Sequence, residues 1–232
     1  TQNWNPNGGN SVSNDHAIGV WFDGTNWGIF NEDASPMPQQ VAFHVHIVNK
    51  GGAASTTGFV LQAATTNLNA TTGNLTIDNA LTNNNPNAII EVTQNYNPGG
   101  NSGVYNNHPV GVYFDGTHWN IINEDRSPIP VGAAFNVNIM TQNNSALVQQ
   151  ATTANTNASS TTIDNPAANN NPNAIIEVTQ NYNPAGSNGS YNNHNIGVWF
   201  DGTHWTIFNT DGAALITTAS PQPAFNVQIL HN

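Results

Sequence analysis

Across 232 residues, charged side chains make up 6%, and two cations, Lys50 and Arg126, stand against thirteen carboxylates for a formal net charge of −11. Two cations cannot neutralise a run of phosphates, which excludes nucleic-acid binding, polybasic lipid contacts and sites that hold a transferring phosphoryl group. The lack of cysteine removes disulfides, thiolate zinc sites and thiol nucleophiles, and no apolar run approaches the roughly 18 residues of a membrane span.

In chain order, residues 1–6 read Thr-Gln-Asn-Trp-Asn-Pro, and the pattern returns at 93–98 and 179–184 with Tyr for Trp. The chain opens on Thr1 within this motif and shows no signal peptide, the start expected of a processed or excised chain. Asp15-His16 corresponds to Asn107-His108 and Asn193-His194. Phe22-Asp-Gly-Thr, one residue and Trp27 follow, repeated as Phe114 to Trp119 and Phe200 to Trp205. Asp-Gly between two alternating runs predicts a two-residue type I′ hairpin, which sets Val20 opposite Trp27 and Ile18 opposite Ile29. A different turn would shift that register without changing the faces. Ile18, Val20, Phe22, Trp27 and Ile29 share the core side, and Trp21, Tyr113 and Trp199 take the other.

Each copy continues to Asn-Glu-Asp at 31–33 and 123–125, or Asn-Thr-Asp at 209–211, and closes on Ala-Phe-x-Val. Phe43, Val45 and Ile47 alternate with His44 and His46, which predicts a half-buried strand with both imidazoles in solvent. A second segment occurs only twice. It runs through Thr-Ile-Asp-Asn (76–79, 162–165) to Asn-Pro-Asn-Ala-Ile-Ile-Glu-Val (85–92, 171–178), where Ala88, Ile90 and Val92 share one face and Glu91 takes the other. Low-complexity Ala/Thr/Asn stretches near 50–58 and 140–146 are the expected junctions.

The fold class is therefore all-β: tandem β-sandwich-like modules, mostly antiparallel, with essentially no helix. Residues 1–49 form a partial module (rear half only), and 50–140 and 141–232 form full modules. The aromatic cores are expected at Phe22, Trp27 and Phe43, at Phe114, Trp119 and Phe135, and at Phe200, Trp205 and Phe225.

The joint string Asn-Pro-Asn-Ala, Thr-Gln-Asn-Tyr-Asn-Pro, Asn-Asn-His-Pro, Gly-Val-Tyr, Asp-Gly, Trp-x-Ile and Ala-Phe-Asn-Val resembles a domain family of unknown function. That family is similar to tandem modules of secreted or surface-attached prokaryotic proteins. The Asn/Thr/Ala-rich, Lys-poor composition more distantly resembles subunits of prokaryotic extracellular filaments. The resemblance implies an extracellular or cell-surface location and transfers no catalytic residue.

Asp33, Asp125 and Asp211, with Glu32 and Glu124 beside the first two, are the candidate ligands of calcium, a cation that takes six to eight oxygens. Asx turns that cap the loop backbone are the simpler account of the same aspartates. His16, His108 and His194 are expected to hydrogen-bond their loops. Trp21, Tyr113 and Trp199 are candidate aromatics for a sugar ring or for a subunit interface. Catalysis is not expected: there is no Gly-x-Ser-x-Gly elbow, and Thr210 stands where an acid pair would need Glu32 or Glu124.

Three rear halves and two front halves leave one rear half unmatched. Its apolar residues Ile18, Val20, Phe22, Phe43 and Val45 are expected to form a subunit interface completed by another copy, through that copy's C-terminal module. Deletion of 1–49 should then leave two self-sufficient modules. This describes a non-enzymatic extracellular structural protein, a homopolymer in a filament, sheath or matrix, built head to tail through β-edge contacts. The alternative is a surface adhesin with repeated weak sites for glycans.

Overall fold

Period-two apolar runs punctuated by Gly, Pro and Asn produce strands throughout the computed structural model, which describes residues 1–9, 11–48, 57–100, 102–215 and 221–230. The first repeat holds β1 (Gln2–Asn3), β2 (Ile18–Phe22), β3 (Trp27–Asn31) and β4 (Ala42–Phe43). The second holds β5 (Gly58–Gln62), β6 (Leu75–Ile77), β7 (Ile89–Asn95), β8 (Val110–Phe114), β9 (Trp119–Asn123) and β10 (Ala134–Met140). The third holds β11 (Ala146–Gln150), β12 (Thr156–Asn157), β13 (Ser160–Ile163), β14 (Ile175–Asn181), β15 (Ile196–Phe200), β16 (Trp205–Asn209) and β17 (Ala224–Leu230). Three single 3₁₀ turns at the Asn-Pro motifs are the only helical pieces among the described residues, none able to cross a membrane.

The strands form three sheets, ordered β3-β2-β7-β10-β5, β11-β17-β14-β8-β9-β6 and β12-β13-β16-β15-β1-β4. Each sheet is shared by two repeats. The hairpin of one repeat ends where the Thr-Gln-Asn strand of the next begins, and these joins are parallel pairs: β2 with β7, β8 with β14, and β15 with β1. Among the described residues the other strand pairs are antiparallel.

A complete repeat is thus a sandwich whose two layers belong to different sheets. In the second, Phe135, Val137 and Ile90 from one sheet pack on Trp119, Ile121 and Ile77 from the other. The third repeats this with Phe225, Val227, Ile176, Trp205, Ile207 and Ile163. Burying each such side chain stabilises the fold by roughly 1.5–3 kcal/mol.

Two expectations are corrected here. The C-terminal partner of the first repeat is in the same chain: β1 pairs with β15, and Trp4 N donates to Val198 O at 2.9 Å. The three repeats therefore close a circuit within one polypeptide. Removing residues 1–49 would strip strands from two sheets rather than leave two untouched modules. The hairpin register also differs, with Phe22 opposite Trp27 and Val20 opposite Ile29. The Asp23 carboxylate accepts from Thr25 N and Asn26 N, both at 2.7 Å, and Gly24 takes the positive φ of 104°. The turn centres on Gly24 and Thr25, one residue later than an Asp-Gly centre. The faces are unchanged.

Of the predicted junctions, 50–58 falls largely outside the described residues. The 140–146 stretch is a tight turn in which Asn143 Oδ1 accepts from Ser145 N at 2.7 Å.

Candidate functional site

The motif that repeats most faithfully builds the junctions between repeats. In Thr-Gln-Asn-aromatic-Asn-Pro the strand ends at the first asparagine, proline opens a 3₁₀ turn, and the asparagine before it turns back onto the preceding hairpin. Asn97 Oδ1 accepts from Phe22 N and its Nδ2 donates to Phe22 O, both at 2.7 Å. Asn183 holds Phe114 in the same way at 2.8 Å, and Asn5 holds Phe200 at 2.7 Å. The amide supplies one donor and one acceptor, as an adjoining strand would. All three asparagines are buried.

A second clasp uses the acids. Glu32 Oε2 accepts from Asn106 N at 3.0 Å, and Glu124 Oε2 accepts from Asn192 N at 2.9 Å. Each carboxylate occupies a recess that exists because the facing residue is Gly19 or Gly111; a Cβ at either would collide with Oε1. Burial pushes Glu32 up to about 7 and Glu124 to about 8, against the downward pull of the backbone N–H each accepts. At the third junction the acid changes sides. Thr210 replaces the glutamate, Asp15 replaces the asparagine found at 107 and 193, and Thr210 Oγ1 donates to Asp15 Oδ1 at 2.9 Å. The third junction thus keeps one acid, carried by the first repeat instead of the third.

Where the Thr-Gln-Asn strands approach one another, Thr179 Oγ1 donates to Glu91 Oε2 at 2.8 Å and accepts from Val92 N at 2.9 Å. Thr1 does the same with Glu177 Oε2 and Val178 N, at 3.0 and 2.9 Å, and its ammonium pairs with Glu177. Burial raises Glu91 well above the usual carboxylate range. Thr93, the third equivalent, is exposed. Beside this cluster Asn226 Nδ2 donates to Ile90 O at 2.9 Å. His44 takes the corresponding place against Ile176, its Nδ1 accepting from Ile176 N at 3.0 Å. His44 is therefore half-buried and packed on Trp205 rather than in solvent, and burial lowers its pKa. His46 is exposed.

The candidate calcium acids are not brought together. Glu32 and Glu124 point inward, whereas Asp33, Asp125 and Asp211 lie at the surface in loop turns. Asp33 accepts from Ser35 N and Oγ and meets His16 Nδ1 at 2.8 Å. The Ser35 hydroxyl and N–H hold Asp33 below the usual carboxylate range. Asp125 repeats this with Ser127 and His108, and Asp211 with the Ala213 N–H and His194. Among the described residues no three His, Cys, Asp or Glu converge to hold a metal. Asp33 and Ser35 approach the same nitrogen of His16, and Ser127 lies within 3.4 Å of both ring nitrogens of His108.

Trp21, Tyr113 and Trp199 lie at the junctions. Tyr113 meets Tyr182 edge-on at 5.6 Å and Trp199 meets Trp4 at 6.3 Å. Trp21 is 40% exposed and lines a cleft of about 350 Å³ with Phe30, Met37, Tyr96 and Tyr105.

The cleft runs along β3, which among the described residues is a sheet edge with no partner on its outer side. In the other repeats β6 and β13 occupy that edge. Trp119 and Trp205 are fully buried, each donating from Nε1 at 2.9 Å to Asn85 O or Asn171 O. Trp27, expected in the core, is 58% exposed because no front half covers it. Val45 and Ile47 are 54% and 77% exposed where Val137, Val227, Ile139 and Ile229 are buried. Ile18, Val20, Phe22 and Phe43 are half-buried.

No curated protein and no solved structure matches the chain. A family model described as "Domain of unknown function (DUF7452)" matches residues 1–47, 52–139 and 118–229. These segments cover most of the chain, which therefore belongs to that family of tandem β modules.

Proposed function

We propose that this is a non-enzymatic structural protein of an extracellular or cell-surface assembly, a unit of a filament, sheath or matrix that makes contacts through uncovered β edges. The observation that carries the reading is the first repeat. The clamped circuit of three repeats leaves the β3 edge unpaired among the described residues and Trp27, Val45 and Ile47 exposed. Exposed sheet edges with apolar neighbours recruit other strands. The loop histidines and acids support the non-enzymatic part, since their partners cap turns. Negative-stain microscopy and light scattering of the full chain test the reading. Extended assemblies are expected, and the variant carrying Trp27→Asp and Ile47→Asp should yield single particles. A wild-type chain that stays monomeric at high concentration contradicts it.

The cleft beside Trp21, Tyr96 and Tyr105 favours a second reading, glycan binding by ring stacking. A glycan array with wild-type protein and Trp21→Ala tests it; signals that are absent, or equal for the two proteins, end it.

A further inference from the structure

We infer that the cleft between Trp21, Phe30, Tyr96 and Tyr105 is a site for one organic cation, a guanidinium group of the arginine kind carried by another molecule. The inference goes beyond both readings above, since neither β-edge assembly nor stacking on a neutral sugar needs a cation. The next junction shows the occupied form within the same chain.

Between the second and third repeats, the guanidinium carbon of Arg126 lies 4.9 Å from the centre of the Tyr191 ring. That ring stacks on Tyr182 with centroids 4.4 Å apart and planes tilted by 40°, and Tyr182 meets Tyr113 edge-on. Between the first and second repeats, Tyr105, Tyr96 and Trp21 hold the same three motif positions, and Tyr105 stacks on Tyr96 at 4.6 Å and 35°. The residue matching Arg126 is Ala34, in the same left-handed backbone, φ 61° against 67°. One cage is filled by its own arginine, and a methyl side chain leaves the other open. At the third junction both parts change: Ser13 stands where the outer tyrosine would, its Oγ donating to Thr210 O at 3.1 Å, and Gly212 stands where the arginine would.

The open cage is also the richer one. A positive group within about 6 Å of a ring centre is drawn to the negative face of the ring, most strongly for Trp. Trp21 replaces Tyr113, and Phe30 replaces Ile122 and meets Tyr96 and Tyr105 edge-on, each at 5.9 Å. Four rings therefore line a cleft of about 350 Å³. The surrounding field favours positive charge, with a net charge of −11 on the chain. Partial burial, Tyr96 and then Glu32 raise the Tyr105 phenol, so the Glu32 charge reaches this ring.

This openness belongs to the outward face of the hairpin and not to its edge. Tyr191 is 38% exposed at a junction whose second repeat has its front half in place, against 48% for Tyr105. A covered sheet edge leaves this face accessible.

The test follows the tryptophan indole and tyrosine ring signals of the full chain by NMR while N-acetyl-arginine amide is added. N-acetyl-citrulline amide, of the same shape without the charge, is the control. The Trp21 indole signal, identified by its loss in Trp21→Phe, should move with the arginine probe and saturate at a concentration on the order of millimolar. The citrulline probe should bind about tenfold more weakly or less. Ala34→Arg should set a guanidinium in the cage from within the chain and abolish the movement, and Tyr105→Leu should weaken binding about threefold or more. Arg126→Ala should open the second cage, so that the Tyr191 ring signal, unmoved by the probe in the wild type, moves as well. Spectra of the variants without probe show whether each is folded. The inference is overturned if neither probe moves the Trp21 signal, if the two probes bind equally, or if Ala34→Arg binds like wild type. An Arg126→Ala chain whose Tyr191 signal stays still overturns it too, because the likeness of the two cages is its basis. Light scattering on the same samples decides the assembly reading separately, and neither result bears on the other.

Discussion

Trp27 and Trp119 follow the same Phe-Asp-Gly-Thr turn, sit in the same hairpin register and contact the preceding phenylalanine at 5.5 and 5.6 Å. One is 58% exposed and the other fully buried. The hairpin is therefore a local product of turn chemistry and alternation, whereas its burial is supplied by a separate segment. Two layers of stabilisation coexist in each complete repeat: side-chain clamps join the repeats into a circuit, and front halves fill the sandwiches. The first repeat has the clamps without the filling.

The largest expected break in that comparison is at the indoles. Trp119→Ala should cost about 3–5 kcal/mol by denaturant unfolding, and Trp27→Ala less than about 1 kcal/mol. Equal costs would mean that Trp27 is buried in solution.

The next effect separates the two glutamate junctions from the third. Folding raises the pKa of Glu32 to about 7 and of Glu124 to about 8, so the folded state binds protons that the unfolded state releases near 4.5. Their stabilising contribution is complete below about pH 4.5 and is lost as pH rises through 7 to 8. Stability should fall across pH 5 to 8.5, by about 1.4 kcal/mol per pH unit for each acid until its raised pKa is passed, with Glu124→Gln flattening the upper part of the profile. A profile that rises over this window contradicts the burial of these acids.

The exchanged pair at the third junction permits a sharper test. Thr210→Glu alone places a second acid against Asp15 and should cost about 1–3 kcal/mol. Adding Asp15→Asn recreates the pattern of the other junctions and should recover most of it. Additive losses would mean that the two positions do not touch.

Among the asparagine clamps, Asn183→Ala should cost about 1–3 kcal/mol, since it orphans two buried backbone groups of Phe114. Asn97→Ala should cost less, because the Phe22 it holds is half-buried. The smallest effect belongs to the surface turns: Asp33→Ala should cost about 1 kcal/mol. Melting with chelator and with millimolar calcium should coincide, since Asp33 already serves Ser35 and His16.

Much of this was legible in the sequence for a physical reason. Period-two alternation at 135–139 and 225–229 assigns faces regardless of the partner strand, and repeated Asp-Gly and Asn-Pro mark the turns; the strand expected over 43–47 stops at Phe43. The sharing of sheets was not legible. Thr-Gln-Asn strands carry polar residues on both faces, and nothing local announces a parallel neighbour from another repeat. The turn centre moved by one residue because the Asp23 carboxylate captures two N–H groups. Glu32 and Glu124, grouped with the calcium acids by adjacency, follow the last strand residues Asn31 and Asn123 and are buried in the recesses left by Gly19 and Gly111. A signal for that was present: where Thr210 replaces the glutamate, Asp15 replaces an asparagine.

The central claim is that the first repeat closes onto the third within one chain, and Asp15 and Asn195 give direct access to it. Their side chains lie 3.3 Å apart and are solvent-accessible, and the chain has no cysteine of its own. The variant with Asp15→Cys and Asn195→Cys, treated with a short bis-maleimide at sub-micromolar concentration, should form an intrachain bridge at monomer mass, at a rate independent of protein concentration. A bridge found only between chains, growing with concentration, would contradict the closed circuit.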